Sequence, residues 1–258
     1  MTQPAQEPSH QPQSPALRDA SEPPVAVDGT KPAPAVTGKG RLAIIIDDMG
    51  TSLQEARALA DIGVPLTFSI IPGLRSYRDV AAFAATNAIE TMIHIPMQSK
   101  GWPQRRLESN GLLLAMNDDE IRAHIEEFSR TIPKAAGANN HMGSEFTEHE
   151  DKMRVVLDAL RQRGLFFVDS VTSPQTTGLR VARELGVKSA RRNVFLDNEQ
   201  NDAYIRGQLA QAVALARKSG TAIAICHPHP ATLKTLAAVL PTLEAQGVRL
   251  VPASSMVH

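Results

Sequence analysis

From residue 41 to the end of the chain, strand-like and helix-like segments alternate, and this alternation restricts the fold more than any other feature. Between a helical segment and the next strand there is repeatedly a glycine, at the position where a left-handed helix stop is expected. Repeated βα units imply a parallel sheet covered by helices. Seven or eight such units favour closure into a barrel over an open doubly wound sheet. The glycines are Gly63, Gly164, Gly186, Gly220 and Gly247.

The predicted strands are short and apolar, and the predicted helices between them carry apolar stripes. Capping boxes at residues 117–120 and 147–150 predict the starts of two helices. A third helix is predicted from the stripe that runs from Ile205 to Ala216. The strands are predicted at residues 42–46, 66–71, 90–95, 135–140, 165–168, 187–189, 222–226 and 249–251.

The chain is predicted to consist of a Pro/Ala-rich linker or tail at residues 1–40, followed by one barrel domain at residues 41–258. Residues 1–40 cannot bury enough apolar surface to fold, so we expect them to be disordered. They contain no signal peptide as written, and the chain has no apolar run long enough to span a membrane. A membrane tether upstream of this segment and a plain disordered tail are both open.

Charge and cysteine content exclude several classes of protein. The 27 basic and 27 acidic side chains balance, and no basic run is interleaved with aromatic residues, so nothing favours a nucleic-acid partner. The single cysteine, Cys226, rules out an intramolecular disulfide. Because it ends an apolar strand, we expect a buried core residue in preference to a nucleophile.

Two adjacent carboxylates, Asp47 and Asp48, stand where the first predicted strand should end, and Gly50 follows them. Carboxylates are costly to bury unless they are paired, protonated or bound to a metal. In parallel α/β folds the carboxyl ends of the strands form the active site. Asp47 and Asp48 therefore indicate a site at this end of the sheet.

Further titratable residues fall at the ends of other predicted strands: His94, His141, Asp169 and His227. Histidine and aspartate ligands without cysteine suit Zn²⁺ or another divalent first-row metal. With an open coordination position, such a metal lowers the pKa of a bound water. A spare aspartate could take the proton of that water, and a histidine could protonate the leaving group. Amide or ester hydrolysis is the reaction that these groups perform most directly.

The residues at strand ends resemble known motifs. Residues 46–50 resemble the Asp-Asp-Gly motif on the first strand of the polysaccharide deacetylases of carbohydrate esterase family four. Residues 139–147 and 226–230 resemble the divergent polysaccharide deacetylase family of bacterial envelope proteins. The resemblance implies a distorted (β/α)7-type barrel, a divalent metal, Zn²⁺ in the first place, and removal of acetyl groups from a glycan. It also implies a location in the periplasm or cell envelope.

The resemblance assigns a role to each matching residue. Asp47 corresponds to the catalytic base and Asp48 to the metal-binding aspartate. His94 corresponds to the first histidine of the metal motif, and His227 to the general acid. Asp169 stands where the family has an aspartate that orients or tunes the catalytic groups.

The chain departs from the common pattern at two places. The second metal histidine would fall at Gln98, and the region around His141 replaces an Arg-x-Pro-Tyr motif. We therefore expect His141 to supply the third metal ligand. Three further residues are candidates for substrate binding: Asn140, Trp102, which could stack on a sugar ring or anchor a loop, and His229.

Three functions remain open from the sequence. The first is a metal-dependent hydrolase that removes acetyl groups from an envelope polysaccharide. The second is an inactive deacetylase-like module that binds a glycan or a protein, because Gln98 replaces a metal ligand. The third is a cytosolic amidase acting on a small substrate, so a cytoplasmic location stays open too.

Overall fold

The computed structural model describes residues 40–258, so the predicted linker or tail lies outside the described residues except for Gly40. These residues form one sheet of nine parallel strands with helices between them. The strands are β1 (Gly40–Met49), β2 (Thr67–Ile70), β3 (Glu90–Met97), β4 (Gly137–Met142), β5 (Phe166–Asp169), β6 (Ser189–Arg191), β7 (Val194–Phe195), β8 (Thr221–Cys226) and β9 (Val248–Leu250). The helices are α1 (Leu53–Ala60), α2 (Tyr77–Thr86), α3 (Asp118–Thr131), α4 (Glu150–Gln162), α5 (Gly178–Glu184), α6 (Asp202–Ser219) and α7 (Pro230–Val239).

The order of strands confirms the predicted distorted (β/α) barrel. It runs β6-β5-β4-β3-β2-β1-β8-β7, and β9 pairs with the start of β1. All eight predicted strands are present, with boundaries shifted by up to three residues. The strand that the sequence did not predict, β7, has two residues and is therefore too short to show a period. Since β6 and β7 end the strand order, the barrel is a curved sheet with two edges.

Side chains along β1 alternate between the two faces of this sheet, as the strand period of two requires. Leu42, Ile44 and Ile46 face outward into the large core beneath the helices. Ala43 and Ile45 face inward, and we call this side of the sheet the inner face. Both side chains belong to a smaller apolar cluster that fills the barrel. The 3₁₀ turn Ala253–Met256 contributes Ala253 and Met256 to that cluster. Near the amino ends of the strands the barrel is thus packed mainly with apolar side chains, and the inner face becomes more polar toward the carboxyl ends of the strands.

The helix ends agree with the sequence signals in all but two cases. Gly247 has a positive φ, but it follows the 3₁₀ turn Leu240–Thr242 and a further turn instead of the end of α7. The capping box at α3 is present, since Asn117 accepts from Glu120 N and Glu120 accepts from Asn117 N. The capping box predicted at residues 147–150 is wrong, because Thr147 donates its hydroxyl to Gly143 O instead. Helix α4 therefore begins at Glu150 without a side-chain cap.

The longest helix, α6, has 18 residues and ends at Gly220, whose φ of 81° lies in the left-handed region as expected of a glycine stop. Its outer side carries charged residues, among them Arg206, Arg217 and Lys218. Within residues 40–258, neither α6 nor any other helix is both long and apolar enough to cross a bilayer.

Candidate metal centre and acid–base groups

A break in the register of β1 brings Asp47 and Asp48 to the same site. Asp47 continues the inward series of Ala43 and Ile45, and its side chain is buried. A regular strand would turn Asp48 outward. Instead the pairing with β2 shifts between Ile46 and Met49, and Asp48 has a φ of 57°. This left-handed conformation, uncommon for a residue other than glycine, directs a second carboxylate to the carboxyl end of the barrel.

Strand register places His94 of β3 and Asn139 of β4 side by side on the inner face. His94 donates its Nδ1 hydrogen to Asn139 Oδ1 across 2.7 Å. The amide nitrogen of Asn139 donates to Asp47 Oδ1 across 2.8 Å, and this contact fixes which end of the amide faces His94. Because Nδ1 carries the hydrogen, Nε2 of His94 is left as the ring nitrogen that can bind a metal.

Asp48, His94 and His141 form a tight triangle of ligand atoms. Asp48 Oδ1 lies 2.8 Å from His141 Nδ1 and 3.3 Å from His94 Nε2, and the two histidine nitrogens are 3.3 Å apart. Three ligands of a tetrahedral Zn²⁺ at bond lengths of about 2.1 Å stand about 3.4 Å from one another. The three side chains therefore fit one small divalent cation.

The environment of Asp48 supports this fit. Its Oδ1 is buried and makes no well-directed hydrogen bond, and a buried carboxylate oxygen needs a partner. Burial would raise the pKa of Asp48, but the contacts with His141 and His94 outweigh burial and hold this pKa far below its ordinary value. The carboxylate is thus kept ionised, which is the form that binds a cation.

For the pKa of Asp47, burial outweighs the contacts with neighbouring groups. Burial is the largest influence and raises the pKa of Asp47, although His94, His227 and the hydrogen bond from Asn139 act against it. A carboxylate with a raised pKa is a stronger base near neutral pH. Asp47 and Asp48 thus differ in proton affinity although they are neighbours, because Asp47 lies deeper in the barrel.

His227 follows β8 and lies on the other side of the two aspartates, with its Nε2 3.8 Å from Asp48 Oδ2. Asp197, just after β7, accepts from the His227 backbone N–H at 2.7 Å and lies 3.1 Å from its Nδ1. Thr232 donates to the same carboxylate. Burial would lower the pKa of His227, but the hydrogen bond with Asp197 and the charges of Asp48 and Asp47 raise it to about 9. His227 is therefore protonated at neutral pH.

These groups form the floor of a cavity of about 430 Å³. Arg105, Arg192 and Phe195 contribute to its walls. Arg192 donates to the carbonyl oxygens of Ser170 and Val171, at 2.7 and 2.9 Å. Arg192 could not be recognised from the sequence, since an arginine after a three-residue strand carries no distinctive pattern.

The sequence predicts that Asp169 orients the catalytic groups. In the structure the aspartate that contacts His227 is Asp197. Along β5, Phe166 and Val168 belong to the inner cluster while Phe167 packs outward, so Asp169 also faces outward. Its carboxylate accepts from Val171 N, Leu179 N and Thr176 Oγ1, which ties the β5–α5 loop to the start of α5. Counting positions along the strand would have indicated this outward direction.

The residues predicted to bind substrate lie near the cavity to different degrees. Asn140 borders it, but its amide accepts from Ser170 N and donates to Met142 O, so it holds two loops together. Trp102 lies in the loop between β3 and α3 and is 41% exposed. His229 stands at the N-terminus of α7 with its ring 5.5 Å from that of His227. Together with Asp197 and His227 it forms a second group with metal-ligand spacing.

Gln98, at the place of the missing histidine, holds the chain instead of facing a metal. Its Oε1 accepts from Leu114 N at 3.0 Å, and its Nε2 donates to Glu145 at 2.9 Å. Its backbone bonds to Leu112 O and Phe146 N. Gln98 therefore fastens both ends of the β3–α3 loop and the segment after β4.

Comparisons with known proteins agree on one family. The family model described as divergent polysaccharide deacetylase matches residues 44–257. A protein of Escherichia coli (strain K12), called uncharacterized protein YibQ, is 38% identical over 219 residues, which cover 85% of this chain and 68% of that protein.

Solved structures show the same fold at low identity. The uncharacterized protein ATU2773 from Agrobacterium tumefaciens C58 superposes with a TM-score of 0.79 at 21% identity, covering 86% of this chain and 90% of that one. The catalytic domain of a peptidoglycan N-acetylglucosamine deacetylase from Eubacterium rectale ATCC 33656 gives 0.54 at 14%, covering 84% and 89%. A mutant of BA3943, described as a CE4 family pseudoenzyme with restored enzymatic activity, gives 0.54 at 14%, covering 85% and 68%.

We predict that Asp197→Asn lowers the pKa of His227 from about 9 in the metal-free protein, because the largest influence that raises it is removed. NMR titration of the imidazole measures this pKa. Folding raises this pKa, so the interaction of protonated His227 with Asp197 contributes its full stabilisation below a pH of about 6.5. This contribution to the free energy of unfolding is lost as the pH rises through about 9. Asp202→Asn, which removes an equal charge on α6, is the control and should leave the pKa unchanged.

We further predict that Asp169→Ala lowers the free energy of unfolding by about 3 kcal/mol, because two backbone N–H groups and a hydroxyl lose a buried acceptor. Urea denaturation measures the change. Asp169→Asn keeps one carbonyl oxygen and should lose less. A stable Asp169→Ala protein that has lost only catalysis would show that Asp169 belongs to the reacting groups after all.

Proposed function

We propose a function from the premise that this chain belongs to the divergent polysaccharide deacetylase family, whose model matches residues 44–257. The protein is a metal-dependent hydrolase that removes acetyl groups from an envelope polysaccharide. The observation that carries the proposal is the geometry around the Asp47–Asp48 pair. One carboxylate and two histidines fit a cation, and a separate base and a separate acid flank them.

Asp48, His94 and His141 hold the divalent ion, for which Zn²⁺ is the first choice because the ligands are imidazoles and a carboxylate. When bound, such an ion acts as a Lewis acid toward the acetyl carbonyl group and toward water. The hydrogen bond from His94 Nδ1 to Asn139 orients the ring so that Nε2 faces the ion. The chain thus supplies three ligands on rigid strand ends and leaves space on the cavity side.

Asp47 is the general base. Its carboxylate is buried, its pKa is raised, and Asn139 holds it by one oxygen, so the other oxygen is free to accept a proton from water. Asp47 also lies beside the ligand triangle, with Oδ2 3.5 Å from His94 Nε2. A base in this position takes a proton from the attacking water, whose oxygen must lie close to the acetyl group.

His227 is the general acid. In the metal-free protein it is protonated at neutral pH, because the hydrogen bond with Asp197 and the charges of the two site aspartates raise its pKa. Asp197 accepts at Nδ1, so Nε2 is the nitrogen that faces the cavity and carries the transferable proton. When the acetyl group leaves, this proton goes to the nitrogen or oxygen of the sugar, which otherwise would depart as a poor leaving group.

We also propose a substrate class and a location for the protein. The deacetylase from Eubacterium rectale acts on peptidoglycan N-acetylglucosamine by its description, and the present cavity of about 430 Å³ suits a sugar unit with an acetyl substituent. We place the protein in the periplasm or cell envelope, where such a glycan is found.

We predict about one zinc or similar ion per chain in the purified protein, lost in both His94→Ala and His141→Ala, because either change leaves two ligands. Elemental analysis measures the content. His124→Ala removes a histidine on α3 that bonds to Glu120 O, and it should keep the metal. Retention of the full metal content in the His141 variant would refute the assignment of the third ligand.

We predict that Asp47→Asn lowers the deacetylation rate by about 10³-fold while metal content stays unchanged, because the base is lost and the three ligands remain. Acetate release from acetylated chitooligosaccharides and peptidoglycan fragments measures the rate. Asp79→Asn, an exposed change on α2, is the matched control. An Asp47→Asn protein as active as the control would remove Asp47 from the role of base.

A second candidate function is an inactive module that binds a glycan. Gln98 at the place of a metal histidine favours it, and a fold neighbour is described as a pseudoenzyme. Such a module would bind the oligosaccharides above without releasing acetate, and a chelator would not change its affinity. The same binding and acetate assays therefore separate the two functions.

A further inference from the structure

Two buried polar atoms face each other at the edge of the ligand triangle, and neither has a hydrogen-bond partner within residues 40–258. They are Nε2 of His141 and Oε2 of Glu108, and 3.7 Å separates them. A ring nitrogen and a carboxylate oxygen that are both removed from water each need a partner. The distance is slightly longer than a hydrogen bond, so a small movement of either side chain would join them.

The loop that carries Glu108 is held in place directly after this residue. Leu112 donates its N–H to Pro96 O at 2.8 Å and accepts from Gln98 N at 2.9 Å, which pairs the loop with the end of β3. The Gly111 N–H donates to Glu108 O at 2.8 Å and closes a turn just after the residue. Gln98 further accepts from Leu114 N. The Glu108 carboxylate is therefore directed toward His141 by ordered backbone.

The two nitrogens of His141 have separate surroundings. Nδ1 lies 2.8 Å from Asp48 Oδ1, on the side of the ligand triangle, and Nε2 lies on the side of Glu108. When Nδ1 binds a metal, the neutral ring carries its hydrogen on Nε2. That hydrogen needs an acceptor, and a carboxylate in this place both orients the ring and makes the coordinating nitrogen more basic.

We propose that Glu108 is a positioning residue of the metal centre, which accepts the Nε2 hydrogen of His141 and holds its Nδ1 toward the ion. This rests on the metal centre in the proposed function but not on the substrate or the reaction. Glu108 acts on the second histidine as Asn139 acts on the first, so each imidazole ligand has its own acceptor. Unlike Asn139, Glu108 brings a negative charge, which strengthens the hold on a cation.

The experiment measures the affinity of metal-free protein for Zn²⁺ alone, by competition with a chromophoric chelator. Glu108→Ala should raise the dissociation constant for Zn²⁺ by about 10- to 100-fold, the usual effect of losing such a partner. Glu108→Gln keeps a carbonyl oxygen that can accept from His141, so it should restore part of the loss. Thermal unfolding of the metal-free variants checks that each of them is folded.

Glu148→Ala is the matched control. Glu148 pairs with Lys100 and accepts from Ser173, so its loss removes one negative charge near the cavity without touching a ligand. The proposal is overturned if Glu108→Ala binds Zn²⁺ within twofold of the unchanged protein, or if Glu148→Ala weakens binding equally. Absent Zn²⁺ binding in the unchanged protein overturns it together with the hydrolase function. Tight binding without acetate release would leave Glu108 in its role and refute only the deacetylase reaction.

Discussion

Two adjacent carboxylates at the end of a buried strand are the constraint on which the rest of this site depends. The Asp47 side chain and Oδ1 of Asp48 are removed from water, and burying an isolated ionised carboxylate would be prohibitively costly. The fold offsets the free-energy cost of burial differently for the two carboxylates. Asp47 receives an amide hydrogen bond and keeps a raised pKa, whereas Asp48 stays ionised between two imidazoles. The register break after Ile46 is what allows one strand to deliver both.

Asn139 couples the two halves of this arrangement. Its carbonyl oxygen accepts from His94 Nδ1 and from the Ser69 hydroxyl, and its nitrogen donates to Asp47 and Ser170. An amide can donate two hydrogens and accept at its oxygen at the same time, whereas an ionised aspartate only accepts and a hydroxyl donates a single hydrogen. The same side chain therefore fixes the tautomer of a metal ligand and the orientation of the base, so binding and proton transfer depend on one buried hydrogen-bond network.

The parallel sheet and the residues around Asp47 were predictable because both correspond to periodic or local patterns in the sequence. Buried strands followed by polar residues indicated Asp48, His94 and His227 directly. Asp197 left no such mark, because β7 has two residues and its pairing with β8 is a long-range contact. The direction of a side chain was predictable in principle. Counting from Phe166 turns Asp169 outward, and counting from Ala138, which packs outward, turns Asn139 inward and Asn140 outward.

The contact of Glu108 with His141 could not be predicted, since it depends on how a long loop folds back over β3. The contacts that hold this loop can still be traced residue by residue. The register of β3 with β4 pairs His94 with Asn139 and Pro96 with His141, so a histidine on β4 can reach the position beside His94. In the proposed metal centre the third ligand, His141, comes from β4, so position 98 does not have to bind the ion. Gln98 then fastens the loop to β3 by its backbone and side chain, and this loop carries the carboxylate that faces His141. In the proposed metal centre, the ligand on β4, the glutamine at position 98 and the loop that carries Glu108 are thus parts of one connected arrangement.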